Sequence, residues 1–307
     1  MNTNRIAFLC IILTIIVTSC TGGDKSMVTV ASKIDTEGAL LGNMIILSLE
    51  NAGIKTLDKT EFGQTDVIRK AIKNDEIDIY PEYTGNGAFF FNTGNAETWR
   101  NPAAGYELVK KTDMNNNNIV WLTPAPANNT WAIAVQKDIA QKYRLETLED
   151  MAEYVNNGSA VKLACSEEFA SREDVLPAFE KTYGFSLRQD QLLILSGGNT
   201  ATTEKAAARG TDGVNFCMAY GTDGQLSALG LKVLKDTKKV QPVYQPAPIV
   251  RQETVQRFPK IKEVLNPVFA SLSLEDLQNL NSQIAVEGKA ARTVAKEYLK
   301  ANGFISR

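Results

Sequence analysis

The sequence predicts an α/β protein of two lobes that face each other across a hinged cleft. The 307 residues exceed what a single hydrophobic core usually holds, so two lobes are expected. Strand-like and helix-like segments alternate along the chain, as they do in α/β sheets. Stretches rich in Asn or Pro divide these segments into two sets, which predicts two crossings between the lobes. Ligands of open α/β sheets bind beyond the carboxyl ends of the strands, so the cleft is the expected ligand site.

The first set of segments has the order strand, helix, strand, helix, strand, which predicts a largely parallel sheet. Pro81 is expected to end the third strand. The four asparagines at 115–118 are expected to break any helix, and the chain is expected to cross to the second lobe before Trp131. The predicted segments are strands at 28–31, 54–57 and 77–80 and helices at 36–51 and 66–74.

The second set of segments predicts the second lobe. Thr147 or Glu149 is expected to cap its first helix. The Pro-rich stretch 242–248 is expected to carry the chain back to the first lobe. The remaining predicted segments are strands at 161–165, 192–195, 214–218 and 232–234 and helices at 173–183 and 200–209. The resulting division is a first lobe of 28–129 and 243–307 and a second lobe of 130–242.

The end of the chain predicts two helices that pack on the first lobe. Ser273 is expected to cap the helix at 274–286. Gly303 follows the helix at 291–302 and is expected to end it in the left-handed conformation.

The composition excludes several classes of function. The chain has no histidine, which removes Ser-His-Asp and Cys-His catalysis and the imidazole ligands of most zinc sites. A net charge of −2 offers no excess of cations for a phosphate backbone, so nucleic acid is not an expected partner. The turn Ser196-Gly197-Gly198-Asn199 lacks the spacing and the Lys of a phosphate-binding loop, and Asn199 is expected to cap a helix there. No metal, no cofactor and no enzymatic activity are expected.

The first 20 residues have the pattern of a secretory signal peptide. The apolar run at 6–17 is shorter than the roughly 20 residues that span a bilayer, so a retained membrane helix is the less favoured alternative. Val17-Thr18-Ser19-Cys20 resembles a bacterial lipobox, which implies a lipid anchor on Cys20, and 21–27 is small and polar enough for a flexible tether. The chain is therefore expected in the periplasm or at the cell surface, attached to a membrane by its lipid.

Two further cysteines, Cys165 and Cys217, lie in strand-like runs of the second lobe. An extracytoplasmic compartment permits a disulfide. Two buried free thiols are at least as well supported, because the sequence does not give their separation.

Several segments resemble one family of proteins. The stretch Asn74-Asp75-Glu76-Ile77-Asp78-Ile79-Tyr80-Pro81-Glu82-Tyr83-Thr84-Gly85 is similar to the binding proteins of glycine betaine, choline and carnitine ABC importers. That resemblance implies a type II periplasmic-binding-protein fold and covers nearly the whole chain after the signal peptide. The other matching segments are Ser32-Lys33, Asn128-Asn129-Thr130-Trp131-Ala132, Ala219 to Gly224, the Pro-flanked Tyr244, and Gly288 to Ile305.

The resemblance implies an aromatic cage for a quaternary ammonium group. Such a cation has no N–H to donate, so a site recognises it by charge, by bulk and by the faces of aromatic rings, each worth about 0.5 to 2 kcal/mol. Several rings are needed to offset the dehydration of the cation. The implied cage residues are Tyr83, Trp131, Tyr220 and Tyr244, which come from both predicted lobes.

The resemblance also implies partners for a ligand carboxylate. Lys33 and Arg172 are the implied cations, and the alternative for both is an ordinary ion pair. Asn86 and Asn129 complete the expected ligand-binding set. Asn86 stands where the family often has Thr, and Trp131 stands where Tyr is usual, so a bulkier or less charged ligand is an open alternative. Asp78 and Glu82 are expected to be structural, and so is Tyr80.

The implied function is capture of a quaternary-ammonium osmolyte and its delivery to a membrane permease and its ATPase by a monomeric binding protein. One alternative ligand is another trimethylated metabolite, such as carnitine or ergothioneine. Two alternatives of a different class are a secreted enzyme that uses a carboxylate and a Tyr in the cleft, and an adhesin that has lost its ligand.

Overall fold

The computed structural model describes residues 26–306, and the central feature of this part of the chain is a pair of five-stranded sheets. The predicted signal peptide and lipid-anchor Cys20 lie outside the described residues. The strands are β1 (Val28–Lys33), β2 (Thr56–Gly63), β3 (Ile79–Tyr83), β4 (Ile119–Trp121), β5 (Trp131–Gln136), β6 (Leu163–Ser166), β7 (Leu192–Leu195), β8 (Phe216–Tyr220), β9 (Leu231–Val233) and β10 (Pro246–Arg251).

Helices cover both sheets. Within residues 26–306, no helix is long and apolar enough to span a bilayer. The helices are α1 (Thr36–Asn51), α2 (Thr65–Lys73), α3 (Asn86–Phe91), α4 (Ala96–Arg100), α5 (Pro102–Asn117), α6 (Lys137–Tyr143), α7 (Leu148–Asn156), α8 (Glu167–Ser171), α9 (Leu176–Tyr183), α10 (Thr200–Arg209), α11 (Gln252–Arg257), α12 (Lys260–Ser271), α13 (Leu274–Ala285) and α14 (Ala291–Ala301).

Each sheet belongs to one lobe. The strand order is β2-β1-β3-β10-β4 in the first sheet and β7-β6-β8-β5-β9 in the second. The chain passes from the first sheet to the second between Trp121 and Trp131, and it returns between Val233 and Pro246. In each sheet one strand runs antiparallel to its neighbours, β10 in the first and β5 in the second. The two passages of the chain between the sheets form the hinge expected of a protein with a cleft between its lobes.

Capping side chains fix where the helices begin. Thr147 and Asp150 form a capping box at the start of α7, and Ser273 and Asp276 form another at the start of α13. Asn199 caps α10. These residues satisfy backbone N–H groups that have no partner within the helix, and the caps predicted from the sequence at Ser273 and Asn199 are confirmed.

The two C-terminal helices pack on the first lobe, as expected. Leu277 of α13 and Val294 of α14 are fully buried in the same core as Val28 of β1 and Leu40 of α1. Burial of such side chains contributes about 1.5 to 3 kcal/mol each. Gly303 follows α14 with a φ of 73°.

Pro81 does not end the third strand, contrary to expectation. β3 continues through Pro81 to Tyr83, and Pro81 lies opposite Pro248 of β10. The carbonyl of Pro248 accepts a hydrogen bond from Leu122 N on the other side of β10. The two prolines therefore form a pair at which antiparallel strands exchange no hydrogen bonds, and neither deprives the other strand of a donor.

The asparagines at 115–118 do not break the preceding helix, which is a second correction. α5 extends to Asn117, and Asn118 ends it in the left-handed conformation with a φ of 54°. Asn tolerates this conformation better than most residues because its short side chain bonds locally. The run is therefore a helix end.

Cys165 and Cys217 are both buried and unpaired. They lie on adjacent parallel strands, but Cys217 is level with Ala164. Cys165, one residue further along, therefore points to the opposite face of the sheet. Of the two alternatives left by the sequence, the structure has the pair of free thiols.

Candidate functional site

A pocket between the two lobes contains seven of the eight predicted ligand-binding residues. It encloses about 450 Å³, including the part open to solvent. Its walls come from the carboxyl ends of β1, β3 and β8, as expected for α/β sheets, and from the two crossings. The lining residues are Lys33, Ile34, Asp35, Gln64, Thr65, Tyr83, Asn86, Asn129, Trp131, Glu168, Gly197, Gly198, Tyr220 and Tyr244.

Trp131 and Tyr220 form the second-lobe side of the pocket. They are directly opposite each other on β5 and β8, and their ring centroids are 4.6 Å apart. Phe169 packs against Trp131 at 5.6 Å with its edge toward the indole. Aromatic pairs at such distances add stability and fix the ring planes. The sheet register therefore presents two rings as one rigid wall.

Tyr83 and Tyr244 form the first-lobe side and the returning crossing. Both rings are buried, at 6% and 3% exposure. The Tyr83 hydroxyl donates to Glu37 Oε1 at 2.9 Å. Gly85 allows the Tyr244 ring to approach, since a Cβ there would lie 2.8 Å from the ring. The four predicted cage residues thus share one pocket.

Lys33 lines the pocket but is already paired. Its ammonium lies 2.8 Å from Glu82 Oε1 and 4.8 Å from the centroid of the Tyr83 ring. Burial alone would raise the pKa of Glu82, but Lys33, Asn86 and a backbone N–H lower it below its ordinary value. Glu82 is thus a buried carboxylate held in its charged form. Its structural role agrees with the sequence prediction, and Tyr80 donates to it at 2.8 Å.

Arg172 is the one predicted ligand-binding residue that does not line the pocket. Its guanidinium binds Glu168 at 2.8 Å and Asp174 at 2.7 Å and stacks on the Phe89 ring at 4.1 Å. It reaches the pocket wall through Glu168, which lines the pocket, and through a 3.1 Å hydrogen bond to Asn86 Oδ1. Asn86 also donates to Glu82, so its amide is held between the Glu82 carboxylate and the Arg172 guanidinium.

The sequence reasoning missed the acidic residues of the pocket. Asp35 caps α1 by accepting a hydrogen bond from Gly38 N at 2.7 Å, and Glu168 is the partner of Arg172. Burial raises the pKa of Asp35 above its ordinary value, against the opposing effects of the Gly38 N–H and Lys33. The helix-capping position of Asp35, two residues after Lys33, was the available signal. These carboxyl groups favour a cationic ligand.

Asn129 joins the pocket to a buried carboxylate. Its amide donates to Glu37 Oε1 at 2.7 Å and to Thr222 Oγ1 at 2.8 Å. Within residues 26–306, no group of three or more His, Cys, Asp or Glu side chains is placed to hold a metal ion. The pocket is lined by four aromatic rings, two carboxyl groups, amide side chains and the ammonium group of Lys33.

Comparison with known proteins identifies the family. Residues 26–301 match the model of the substrate-binding domain of ABC-type glycine betaine transport systems. The chain is 57% identical to the glycine betaine-binding protein YehZ of Escherichia coli (strain K12) over 91% of this chain and 92% of that protein. It is 30% identical to the ergothioneine transport permease and binding protein EgtU of Helicobacter pylori (strain G27), over 91% of this chain but only 48% of that longer protein.

The structural comparison agrees with the sequence comparison. The structure of apo YehZ from Escherichia coli superposes with a TM-score of 0.65 over 91% of this chain and 99% of that one. The two-lobed α/β fold predicted from the sequence is confirmed. The chain belongs to the family of substrate-binding domains of ABC-type glycine betaine transport systems.

Proposed function

We propose that the chain captures a small quaternary-ammonium solute, glycine betaine or choline, between its lobes and delivers it to an ABC permease and its ATPase. The observation that carries this proposal is the meeting of Tyr83, Trp131, Tyr220 and Tyr244 around one pocket. The name of the 57% identical YehZ, a glycine betaine-binding protein, supports it. A trimethylammonium group between such rings gains cation–π attraction from each face.

The charges of the pocket support choline as a second candidate. Choline carries a cation and a hydroxyl but no carboxylate. Lys33 is paired with Glu82, and Arg172 with Glu168 and Asp174, so both predicted partners of a betaine carboxylate already bind anions. Asp35 and Glu168 line the pocket as well, and Glu168 is the carboxylate that is paired with Arg172. A zwitterion must displace one of these pairs or rely on N–H donors, and choline need not.

Further parts of the proposal rest on the sequence and the family. Substrate-binding proteins of ABC importers act outside the cytoplasm, and we assign the membrane attachment to a lipid on Cys20. The lobe boundaries near residues 130 and 243 and a monomeric state belong to the same proposal. So does the absence of chemistry on the ligand, because a family that delivers solutes releases them unchanged.

Thermal unfolding of the protein from Thr21 onward tests the proposed ligands. Glycine betaine, choline, carnitine, proline and ergothioneine are added separately at up to 10 mM. A ligand at about 100 times its Kd stabilises the native state by about 2.7 kcal/mol, which raises the melting temperature by about 5 °C or more.

The matched variants are Tyr220→Ala, in the cage, and Tyr143→Ala, whose ring is 46% exposed on α6. We expect the shift to disappear in Tyr220→Ala and to persist in Tyr143→Ala. No shift with any quaternary ammonium compound would refute the ligand assignment.

A further inference from the structure

Glu37 is a buried carboxylate at the centre of the contact between the lobes. It lies on α1 and is 3% exposed. Its Oε1 accepts hydrogen bonds from Tyr83 Oη at 2.9 Å and Asn129 Nδ2 at 2.7 Å. Its Oε2 accepts one from Asn281 Nδ2 of α13 at 2.7 Å. Burial raises the pKa of Glu37, against hydrogen bonds, among them those from Asn281 and Asn129, that favour its charged form. All three side chains donate to it, so this one carboxyl group fixes three side chains at once.

The two amides that bind Glu37 also bind the second lobe. Asn129 Nδ2 donates to Thr222 Oγ1 at 2.8 Å, and Asn281 Nδ2 donates to Thr222 O at 3.2 Å. Thr222 is two residues after Tyr220, the cage residue at the end of β8. The same carboxylate is therefore connected to cage rings of both lobes, directly to Tyr83 and through the amides to the turn that follows Tyr220.

That turn packs closely against α13 of the first lobe. Gln278 Nε2 donates to Gly221 O at 3.0 Å. Gly224 lies against the Gln278 backbone, where an added Cβ would come within 2.0 Å of the carbonyl oxygen. Such close packing exists only while the lobes are together.

We propose that Glu37 is a positioning residue for the ligand site, which holds the Tyr83 ring in place and locks the turn after Tyr220 to the first lobe. The cage then takes its binding geometry only in the closed arrangement of the lobes. Glu37 does not line the pocket, so it acts through Tyr83, Asn129 and Asn281. This role rests on the proposed function.

Glu37→Gln is the variant that tests the role. Glutamine keeps the size of the side chain, but its amide nitrogen is a donor, so it cannot accept from all three partners. The control is Glu50→Gln on the same helix, whose carboxylate is exposed and pairs with Arg292. Calorimetric titration with glycine betaine and with choline should show affinity at least about 10-fold weaker in Glu37→Gln and unchanged affinity in Glu50→Gln.

A double-variant cycle separates positioning from a general loss of structure. Glu37 is expected to act partly through the Tyr83 hydroxyl. The double variant with Glu37→Gln and Tyr83→Phe should therefore lose less affinity than the product of the fold-losses of the two single variants, by about threefold or more. Losses that multiply would overturn the proposed route through Tyr83.

Amide hydrogen exchange of the protein saturated with glycine betaine or choline, which holds the lobes closed, gives an independent readout. We expect faster exchange in 220–224 for Glu37→Gln and no change for Glu50→Gln, because the turn loses its anchor to α13. Unchanged exchange overturns the proposal. A wild-type protein that binds neither compound refutes the proposed function together with this role, whereas equal binding by wild type and Glu37→Gln refutes only the role of Glu37.

Discussion

At the scale of single residues, the second lobe contains a pair of buried carboxyl groups behind Tyr220. Glu204 of α10 is fully buried, and the carboxyl group of Asp223 is close enough to act on its charge. Gln225 Nε2 donates to Glu204 at 2.5 Å, and Thr200 and the Tyr220 N–H donate to Asp223. Burial, and then the neighbouring Asp223, raise the pKa of Glu204 well above its ordinary 4.5. Two buried, ionised carboxylates repel each other, so we expect the pair to keep a proton at neutral pH.

This pair predicts a pH dependence of stability. A carboxyl whose folded-state pKa is raised favours folding at pH below its unfolded-state value, and that contribution is lost as the pH rises toward the raised pKa. The melting temperature of the wild type should therefore fall between pH 5 and pH 8. Glu204→Gln, which needs no proton, should be about 1 to 3 kcal/mol more stable than wild type at pH 8 and nearly equal at pH 5.

Calorimetric melting curves of both proteins at pH 5, 6, 7 and 8 provide the measurement. Lys205, which favours the charged form of Glu204, and Cys217, whose thiol faces both carboxyl groups, are unchanged in the variant. If the melting temperatures of the two proteins changed with pH in parallel, the assignment of a retained proton to the Glu204–Asp223 pair would be wrong.

Aromatic residues of the site could be predicted from the sequence, and the state of its charges could not. Tyr83 and Tyr220 stand at strand ends within segments that resemble the family, and it was this resemblance that implied their place in the site. Pairing is a three-dimensional property. Arg172 pairs with Glu168, which is four residues earlier in the chain. Its hydrogen bond to Asn86 joins residues that are 86 positions apart, and no local sequence pattern reveals such a contact.

At the scale of secondary-structure elements, a buried ion pair joins α2 to α5. Arg69 binds Asp113 through two hydrogen bonds of 2.9 and 2.6 Å, and Asp113 is fully buried. Trp121 Nε1 and Asn117 Nδ2 also donate to Asp113. Loss of one partner of such a pair leaves a buried charge without compensation, which costs about 3 to 5 kcal/mol.

Arg69→Ala is therefore expected to lower the free energy of unfolding by about 3 to 5 kcal/mol. The comparison variant is Arg188→Ala, because its pair with Asp190 is about 70% exposed on both sides and such surface pairs contribute little to stability. Urea unfolding of each protein measures the difference. Equal stability of the two variants would show that the buried pair does not hold α2 against α5.

Elements with strong local signals were predicted well, and elements decided by their neighbours were not. The helix Thr200–Arg209 and the strand Leu192–Leu195 have the predicted bounds. β2 was predicted at 54–57 but runs from Thr56 to Gly63, because it is the edge strand of its sheet and its mostly polar side chains show no buried pattern. The passage of β3 through Pro81 depends on the opposite proline of β10, which is distant in sequence.

At the scale of the whole molecule, two lobes enclose a site that neither could form alone. Tyr83 belongs to the first sheet, and Trp131 and Tyr220 belong to the second. Closure of the lobes is thus the motion by which we expect the cage to be assembled.

The most direct measurement compares choline with its uncharged carbon isostere, 3,3-dimethyl-1-butanol, by calorimetric titration of the wild-type protein. The two compounds have nearly the same shape, and only choline has the charge that aromatic faces and the carboxyl groups of Asp35 and Glu168 attract. We predict one saturable choline site and affinity for the isostere at least about 10-fold weaker. Equal affinity for choline and its isostere, or no binding of either choline or glycine betaine, would contradict a cage that recognises a quaternary ammonium cation.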